Sequence, residues 1–328
     1  MTSVRSIEVG VDEAEQRLDR WFKRHFPGLT HGRLEKLLRT GQIRVNGRRA
    51  KANLRLVAGQ VVRVPPIEAG AEADSAPRQP REVSDHEARD IQARVLYRDG
   101  DVIVIDKPAG LSVQGGPGIQ RHLDGLLDAL RFDARERPRL VHRLDRDTSG
   151  VLALARDARA AAWLAEAFRL RTARKLYWAI TVGVPNPRAG EIDVALEKRP
   201  GRHGERMVAE EGGKPSLTAY RVLDHAGKRA AWLKLLPHTG RTHQLRVHCA
   251  AIGTPILGDG KYGGAAAHIE ADGIAPQLHL HARAIELPKR SGGTLRAVAP
   301  LPPHMASAFR FFGFEPGPNR VSVGDFEL

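Results

Sequence analysis

Residues 140–150 read Leu-Val-His-Arg-Leu-Asp-Arg-Asp-Thr-Ser-Gly, so two carboxylates, Asp145 and Asp147, sit among the cations Arg143 and Arg146 directly before the apolar run 151–155. If residues 143–145 are extended, alternation puts Arg143 and Asp145 on one face and turns Leu144 toward the core. A guanidinium beside a carboxylate favours its ionised form, and nucleophilic or general-base chemistry needs that form. The same pattern suits a plain ion pair at the start of a buried strand, and the residues alone leave both readings open. Asp147 would share the face of Asp145, which invites the paired carboxylates of a glycosidase. A turn-capping acid bonded to Thr148, Ser149 or a backbone amide is the simpler expectation. A second cationic cluster spans residues 237–246, with Arg241, His243 and Arg246 and no acid among them. One carboxylate in so basic a setting suits a polyanionic substrate.

These residues need elements to position them. Asp99-Gly100 reads as a turn between the strand-like segments 94–98 and 102–107, and residues 122–131 have helical periodicity. After the buried run 151–155, Asp157 can cap a helix with Ala161, Leu164, Ala165 and Phe168 on one face. Runs 176–182, 217–223, 231–236, 245–249 and 278–287 read as strands. Many short strands with few helices predict an α+β catalytic domain on a mixed, largely antiparallel β-sheet flanked by helices.

The first 66 residues read differently. The pattern predicts a helix over 14–26 and a second over 32–39 capped by Thr30. Strand material follows at Ile43 and Val45, around an Asn46-Gly47 turn, and at Leu54, Leu56, Val61, Val62 and Val64. These residues hold 14 Lys/Arg against 6 Asp/Glu, which is +8 of the chain's formal +14. Arg33, Lys36, Arg39, Arg44, Arg48, Arg49 and Lys51 lie where Glu35 is the only acid between positions 31 and 63. Such a unit suits nucleic acid. Residues 67–90, with seven acids and two prolines, read as a flexible linker. The expected organisation is therefore 1–66, linker 67–90, and a catalytic domain over 91–328.

Other classes are disfavoured. A single cysteine, Cys249, cannot form an internal disulfide or a cysteine-rich metal site. The first 15 residues lack an apolar signal core, and no run of 18 apolar residues occurs, so a cytoplasmic protein without a membrane partner is expected. Gly-Gly-Pro-Gly at 115–118 lacks both the phosphate-loop and the dinucleotide spacing, and no cofactor is expected. His243 and His248, five apart on an expected strand, would face opposite ways, and neither they nor His279 and His281 suggest a metal.

Four segments then carry a resemblance. The stretch from His142 to Gly150, the Arg-Lys-Leu-Tyr-Trp-Ala at 174–179, the Thr-Gly-Arg-Thr-His-Gln-Leu-Arg-Val-His at 239–248 and the Pro-Ile-Leu-Gly-Asp at 255–259 resemble, in order, the motifs of the RluA family of pseudouridine synthases. The basic first unit resembles the S4 RNA-binding domain that precedes the catalytic domain in many members. The resemblance implies a pseudouridine synthase fold, no cofactor and no metal. It also implies isomerisation of uridine to pseudouridine in RNA, most of all at a few 23S ribosomal RNA positions. It makes Asp145 the catalytic carboxylate, whether it attacks C1′, adds to the base or takes the 2′ proton. Tyr177 then stacks on the uracil, Arg246 pairs with Asp145, and Arg143 beside His142 holds or replaces a flipped nucleotide. Arg241 and His243 contact the RNA backbone. A monomer is expected. The competing readings are a tRNA pseudouridine synthase, an inactive RNA-binding ribosome-assembly factor, and a small-molecule glycosidase, which the basic first unit argues against.

Overall fold

In a computed structural model that describes residues 4–67, 83–116, 118–201, 204–317, 320 and 322–327, the chain divides into two units, 1–79 and 80–328. In the first, strand β1 (Arg5–Glu8) precedes helices α1 (Leu18–His25) and α2 (His31–Arg39), and strands β2 (Arg44–Val45), β3 (Arg48–Arg49) and β4 (Val61–Val64) follow. The antiparallel sheet runs β1-β4-β2-β3. Thr30 caps α2 by accepting from the Arg33 N–H at 3.4 Å, as its sequence position predicts. Asn46 and Gly47 both take positive φ, which gives the tight β2–β3 turn the right twist. Trp21 and Phe22 of α1 pack with Leu34, Leu38, Ile43, Val45, Leu56 and Val62 into one core. The expectations fail in part here: Ile43, Leu54 and Leu56 lie outside any strand, the helix expected over 14–26 begins only at Leu18, and β1, unsignalled by alternation, supplies the fourth strand by pairing with β4.

The second unit opens with α3 (Asp85–Ala93), inside the stretch expected to be linker. Two of its acids, Asp85 and Glu87, lie in the first turn, where Ser84 and Glu87 form a reciprocal capping box, and Ile91 is buried in the core of this unit. The remainder of the expected linker, 68–82, lies outside the described residues. Next come β5 (Val95–Arg98), β6 (Val102–Lys107), α4 (Leu123–Leu126) with a 3-10 turn behind it, β7 (Arg139–Leu140), β8 (Ser149–Ala155) and α5 (Ala158–Arg169). Asp157 caps α5 by accepting from the Ala160 N–H at 2.7 Å, and Ala160, Leu164 and Ala167 form the buried face. Then follow β9 (Arg174–Val182), β10 (Ala189–Asp193), the ribbon β11 (Leu196–Gly201) and β12 (Gly204–Ala209), β13 (Leu217–Ala226) and β14 (Ala230–Pro237). The unit closes with α6 (Gln244–Ala251), β15 (Leu280–Pro288), β16 (Thr294–Val298) and α7 (Pro303–Phe312).

One mixed sheet organises this unit in the order β10-β13-β14-β9-β15-β8-β6-β5, with β16 on β15 and β7 on β8. Among the described residues its only parallel contact is β8 with β15, where Ser149 faces His281 and Gly150 faces Ala282. Gly150 has φ +108°, and a Cβ there would lie 2.1 Å from the Ala282 carbonyl oxygen, so only glycine permits this approach. Apolar clusters pack on both faces: Ile103, Ile105, Leu152 and Leu154 lie in one, and Leu176, Trp178, Trp232 and Phe309 in another. Residues 245–249, expected as a strand, belong to helix α6. All of Gln244, Leu245, Arg246, Val247, His248 and Cys249 are buried, so the helix has no polar stripe from which its 3.6-residue period could be read.

Candidate active site

Asp145 lies in the loop between β7 and β8, where Leu144 is buried in the core while Arg143 and Asp145 line an open cleft of about 740 Å³. The alternation expected of this stretch is therefore present. The loop is pinned from several sides. The Thr148 N–H donates to the Asp145 carbonyl at 3.3 Å and closes the turn. Lys107, fully buried, donates from Nζ to the carbonyls of Pro108, Leu111 and Arg146 at 2.9, 2.9 and 3.0 Å. The Gly110 N–H reaches that same Arg146 oxygen at 2.9 Å. Burial pushes the Lys107 pKa down to about 8, against the pull of Asp147, Asp145 and Asp106. Ser149 and His281 Nδ1, 2.8 Å apart, tie the end of the loop to β15. Lys107 lies outside the site residues that the sequence suggests. Its signal is weak, a lysine ending an apolar strand, yet such a side chain must find backbone acceptors if the strand is central.

His142 turns inward. Its Nε2 accepts the Ala153 N–H at 2.8 Å, so that nitrogen carries no proton, and the ring lies 4.6 Å from Phe168. Burial, with Lys175 nearby, pushes its pKa down to about 3. Its described contacts thus serve the loop, while the neighbouring Arg143 points outward and is exposed. Asp147 takes no capping role: 52% exposed, it meets only Arg146, at 3.4 Å, and the buried Thr148 hydroxyl has no partner in the structure.

The second cationic cluster forms the opposite wall. Gln244 organises it: its Oε1 accepts from the Thr239 hydroxyl at 2.7 Å and the Arg241 N–H at 3.0 Å. Its amide donates to the Leu217 carbonyl at 3.0 Å and the Thr218 hydroxyl at 2.9 Å. His243, at φ +53°, begins α6 and brings Nε2 within 3.9 Å of Asp145 Oδ1. On its other side Nδ1 lies 2.6 Å from the Tyr262 hydroxyl, which also accepts the Met207 N–H at 3.2 Å. Burial raises the Tyr262 pKa and lowers that of His243, so the tyrosine donates to Nδ1. The neutral imidazole then carries its proton on Nε2, facing the carboxylate.

Arg246 does not pair with Asp145. Its Nε and Nη2 donate to Asp259 at 2.8 and 2.7 Å, a bidentate pair in which the side chains are 8% and 0% exposed. A guanidinium buried on α6 takes the carboxylate buried with it. Arg246 also lies 5.0 Å from the Tyr262 ring centre and still feels the field of Asp145. Tyr177, on β9, lines the cleft, and burial first, then Asp145, raise its pKa, so its hydroxyl stays protonated. Arg241 is exposed at the rim and donates to the Pro215 carbonyl at 3.1 Å.

The cleft thus brings together Asp145, Arg143, His142, Tyr177, Arg241, His243 and Arg246. Asp145 is the only carboxylate in its lining, against seven lysines and arginines. Among the described residues no group of three or more His, Cys, Asp or Glu could hold a metal ion, and no helix is long and apolar enough to cross a membrane. The other basic candidates lie in the first unit, where Lys36, Arg39, Arg44, Arg48, Arg49 and Lys51 are exposed and Arg33 is half-buried. Arg44 reaches the carbonyls of Gly41 and Gly47, each at 3.1 Å, which fixes its guanidinium across the β2–β3 turn.

Residues 101–251 match the family model described as RNA pseudouridylate synthase. The chain is 37% identical to ribosomal large subunit pseudouridine synthase C of Pasteurella multocida, over 92% of each chain. It is 35% identical to the Escherichia coli protein of that name, over 91% of this chain and 93% of that one. A solved structure, human RNA pseudouridylate synthase domain containing 4, superposes with a TM-score of 0.59 at 32% identity, covering 69% of this chain and 95% of that one.

Proposed function

Because the chain belongs to the RNA pseudouridine synthase family, isomerases that act on RNA, we propose that it converts uridines of large-subunit ribosomal RNA to pseudouridine with Asp145 as its catalytic carboxylate. The observation that carries this reading is the single carboxylate, Asp145, in a cleft whose lining also holds seven lysines and arginines and Tyr177. The reaction breaks the N1–C1′ bond, turns the uracil and joins C5 to C1′. N1 gains a proton and C5 loses one, so no electrons change hands and no cofactor is required. The target must leave its stack, at a cost of a few kcal/mol. Tyr177 offers a face for the flipped base, and exposed Arg143, on the Asp145 side of the loop, holds or replaces the nucleotide. His243, with Nε2–H toward Asp145, orients the carboxylate or meets the RNA backbone beside Arg241.

The first unit supplies general RNA affinity. Its exposed cations, Lys36, Arg39, Arg44, Arg48, Arg49 and Lys51, with Arg33, fit phosphates, as in the S4 domain this unit resembles. The relatives named for the ribosomal large subunit support large-subunit ribosomal RNA as the target; 23S RNA modified in the cytoplasm by a monomer is the finer form of this proposal. Asp145→Asn should abolish pseudouridine formation on an unmodified ribosomal RNA fragment while RNA binding survives; near-normal turnover would overturn the assignment. Mapping pseudouridines in total RNA with and without the gene tests the target: loss of tRNA sites alone would exclude ribosomal RNA.

A further inference from the structure

We propose that Lys175 and the backbone turn at Gly240 form a seat for one phosphate of the RNA strand next to the flipped uridine, a contact separate from those given above to Arg143, Arg241 and His243. The inference rests on the pseudouridine synthase reading of the cleft. On β9, Leu176 and Trp178 point into the core with Phe309, so Lys175 and Tyr177 share the opposite face, and both line the cleft. Two residues along a strand span about 7 Å, a separation like that between a nucleobase and its own phosphate. A base resting on Tyr177 therefore brings a phosphate within reach of the lysine.

The state of the lysine points the same way. Among the cations lining the cleft that are buried or half-buried, Arg246 is paired with Asp259, and Arg174 with Glu286 and the Phe326 carbonyl. Half-buried Lys175 has no hydrogen bond or ion pair to any described residue. Burial alone pushes its pKa down to about 8, so at neutral pH it is still an ammonium with three donors and no protein acceptor. Such a group is unfavourable until an anion arrives. The space beside it is kept open: a Cβ added at Gly240 would lie 3.8 Å from Lys175 Nζ, so any longer side chain there would crowd the ammonium. No acid lines this part of the cleft, and Asp145 contributes nothing to holding the Lys175 proton. The fitting ligand is a phosphodiester, supplied by the substrate.

The test pairs protein and RNA changes in the full chain. Ribosomal RNA fragments are made with a neutral methylphosphonate in place of the phosphate immediately 5′ or immediately 3′ of the target uridine. Pseudouridine formation is measured with wild type, Lys175→Met and Lys175→Arg. Lys175→Met should raise KM on the unmodified fragment at least about tenfold, the loss of one charged hydrogen bond, and Lys175→Arg should recover part of it. One of the two methylphosphonates should penalise wild type by a similar factor and Lys175→Met by less than about twofold. That wild-type measurement does not depend on any variant folding. Additive penalties at both linkages, or an unchanged KM in Lys175→Met, would overturn the seat while leaving the enzyme assignment intact. Failure of wild type to modify any uridine would overturn the assignment and the seat with it.

Discussion

The bidentate Arg246–Asp259 pair allows a quantitative test. In Asp259→Asn the size is kept but the charge is lost, and an amide group replaces one of the two oxygens that the guanidinium grips at 2.7 and 2.8 Å. The Tyr262 N–H, 3.2 Å from Asp259 Oδ1, is disturbed as well. The side chains are 8% and 0% exposed, so water cannot take the carboxylate's place, and of the two carboxylates that offset the field of Arg246 at Lys261 only Asp145 remains. Removing one partner of a buried pair destabilises by about 3–5 kcal/mol. In a unit of this size that lowers Tm by roughly 6–20 °C. Urea unfolding followed by tryptophan fluorescence reports mainly on this unit, which holds Trp163, Trp178 and Trp232 of the four tryptophans. Pseudouridine formation should fall even where the fold persists, because the nearest carboxylate left to Arg246 is Asp145. The double variant Arg246→Met, Asp259→Leu should regain most of the stability and none of the activity, since a buried pair replaced by apolar side chains is often neutral. An Asp259→Asn protein within about 1 kcal/mol of wild type would refute the argument, because that is the range of a solvent-screened pair.

Three other outcomes follow from the same geometry. His142 and His281 have their pKa pushed down by burial to about 3, and His279 to about 4, well below the roughly 6.5 of an unfolded chain. Unfolding therefore takes up protons the fold refuses, and stability should drop as pH falls below 6.5 by about 1.4 kcal/mol per pH unit for each; urea midpoints that stay flat between pH 7 and 5 would contradict this. Asp147→Asn, at an exposed side chain that meets only Arg146, should keep turnover within a few-fold of wild type, and its inactivity would revive a two-carboxylate mechanism. Tyr262→Phe keeps the ring beneath Arg246 but frees the His243 tautomer, so kcat should fall several-fold with a change in its pH profile and little loss of Tm; an unchanged profile would remove His243 from the site's proton arrangement.

Much of the framework was legible because local chemistry fixed it. Thr30 and Asp157 cap the helices they precede, Asn46-Gly47 makes the turn its φ preferences demand, and the alternation Arg143-Leu144-Asp145 survives in the structure. The unread parts depend on tertiary surroundings. A helix buried all round shows no amphipathic period, so 245–249 resembled a strand. The resemblance alone pairs Arg246 with Asp145, and a sequence does not show that Asp259 folds beside it instead. The acids of 85–90 read as linker because the capping role of Glu87 and the pairing of Asp90 with Arg94 emerge only once Ile91 and its neighbours form a core.

The parallel contact at Gly150 also bears on when the protein becomes competent. The Asp145 loop rests on β15, whose His281 meets Ser149 from 132 positions away in sequence. During synthesis the first unit, with its own core, can fold as soon as its chain emerges, whereas the cleft has no floor until residues beyond 280 are free. A chain that stops before β15 would thus carry the basic unit without a working site.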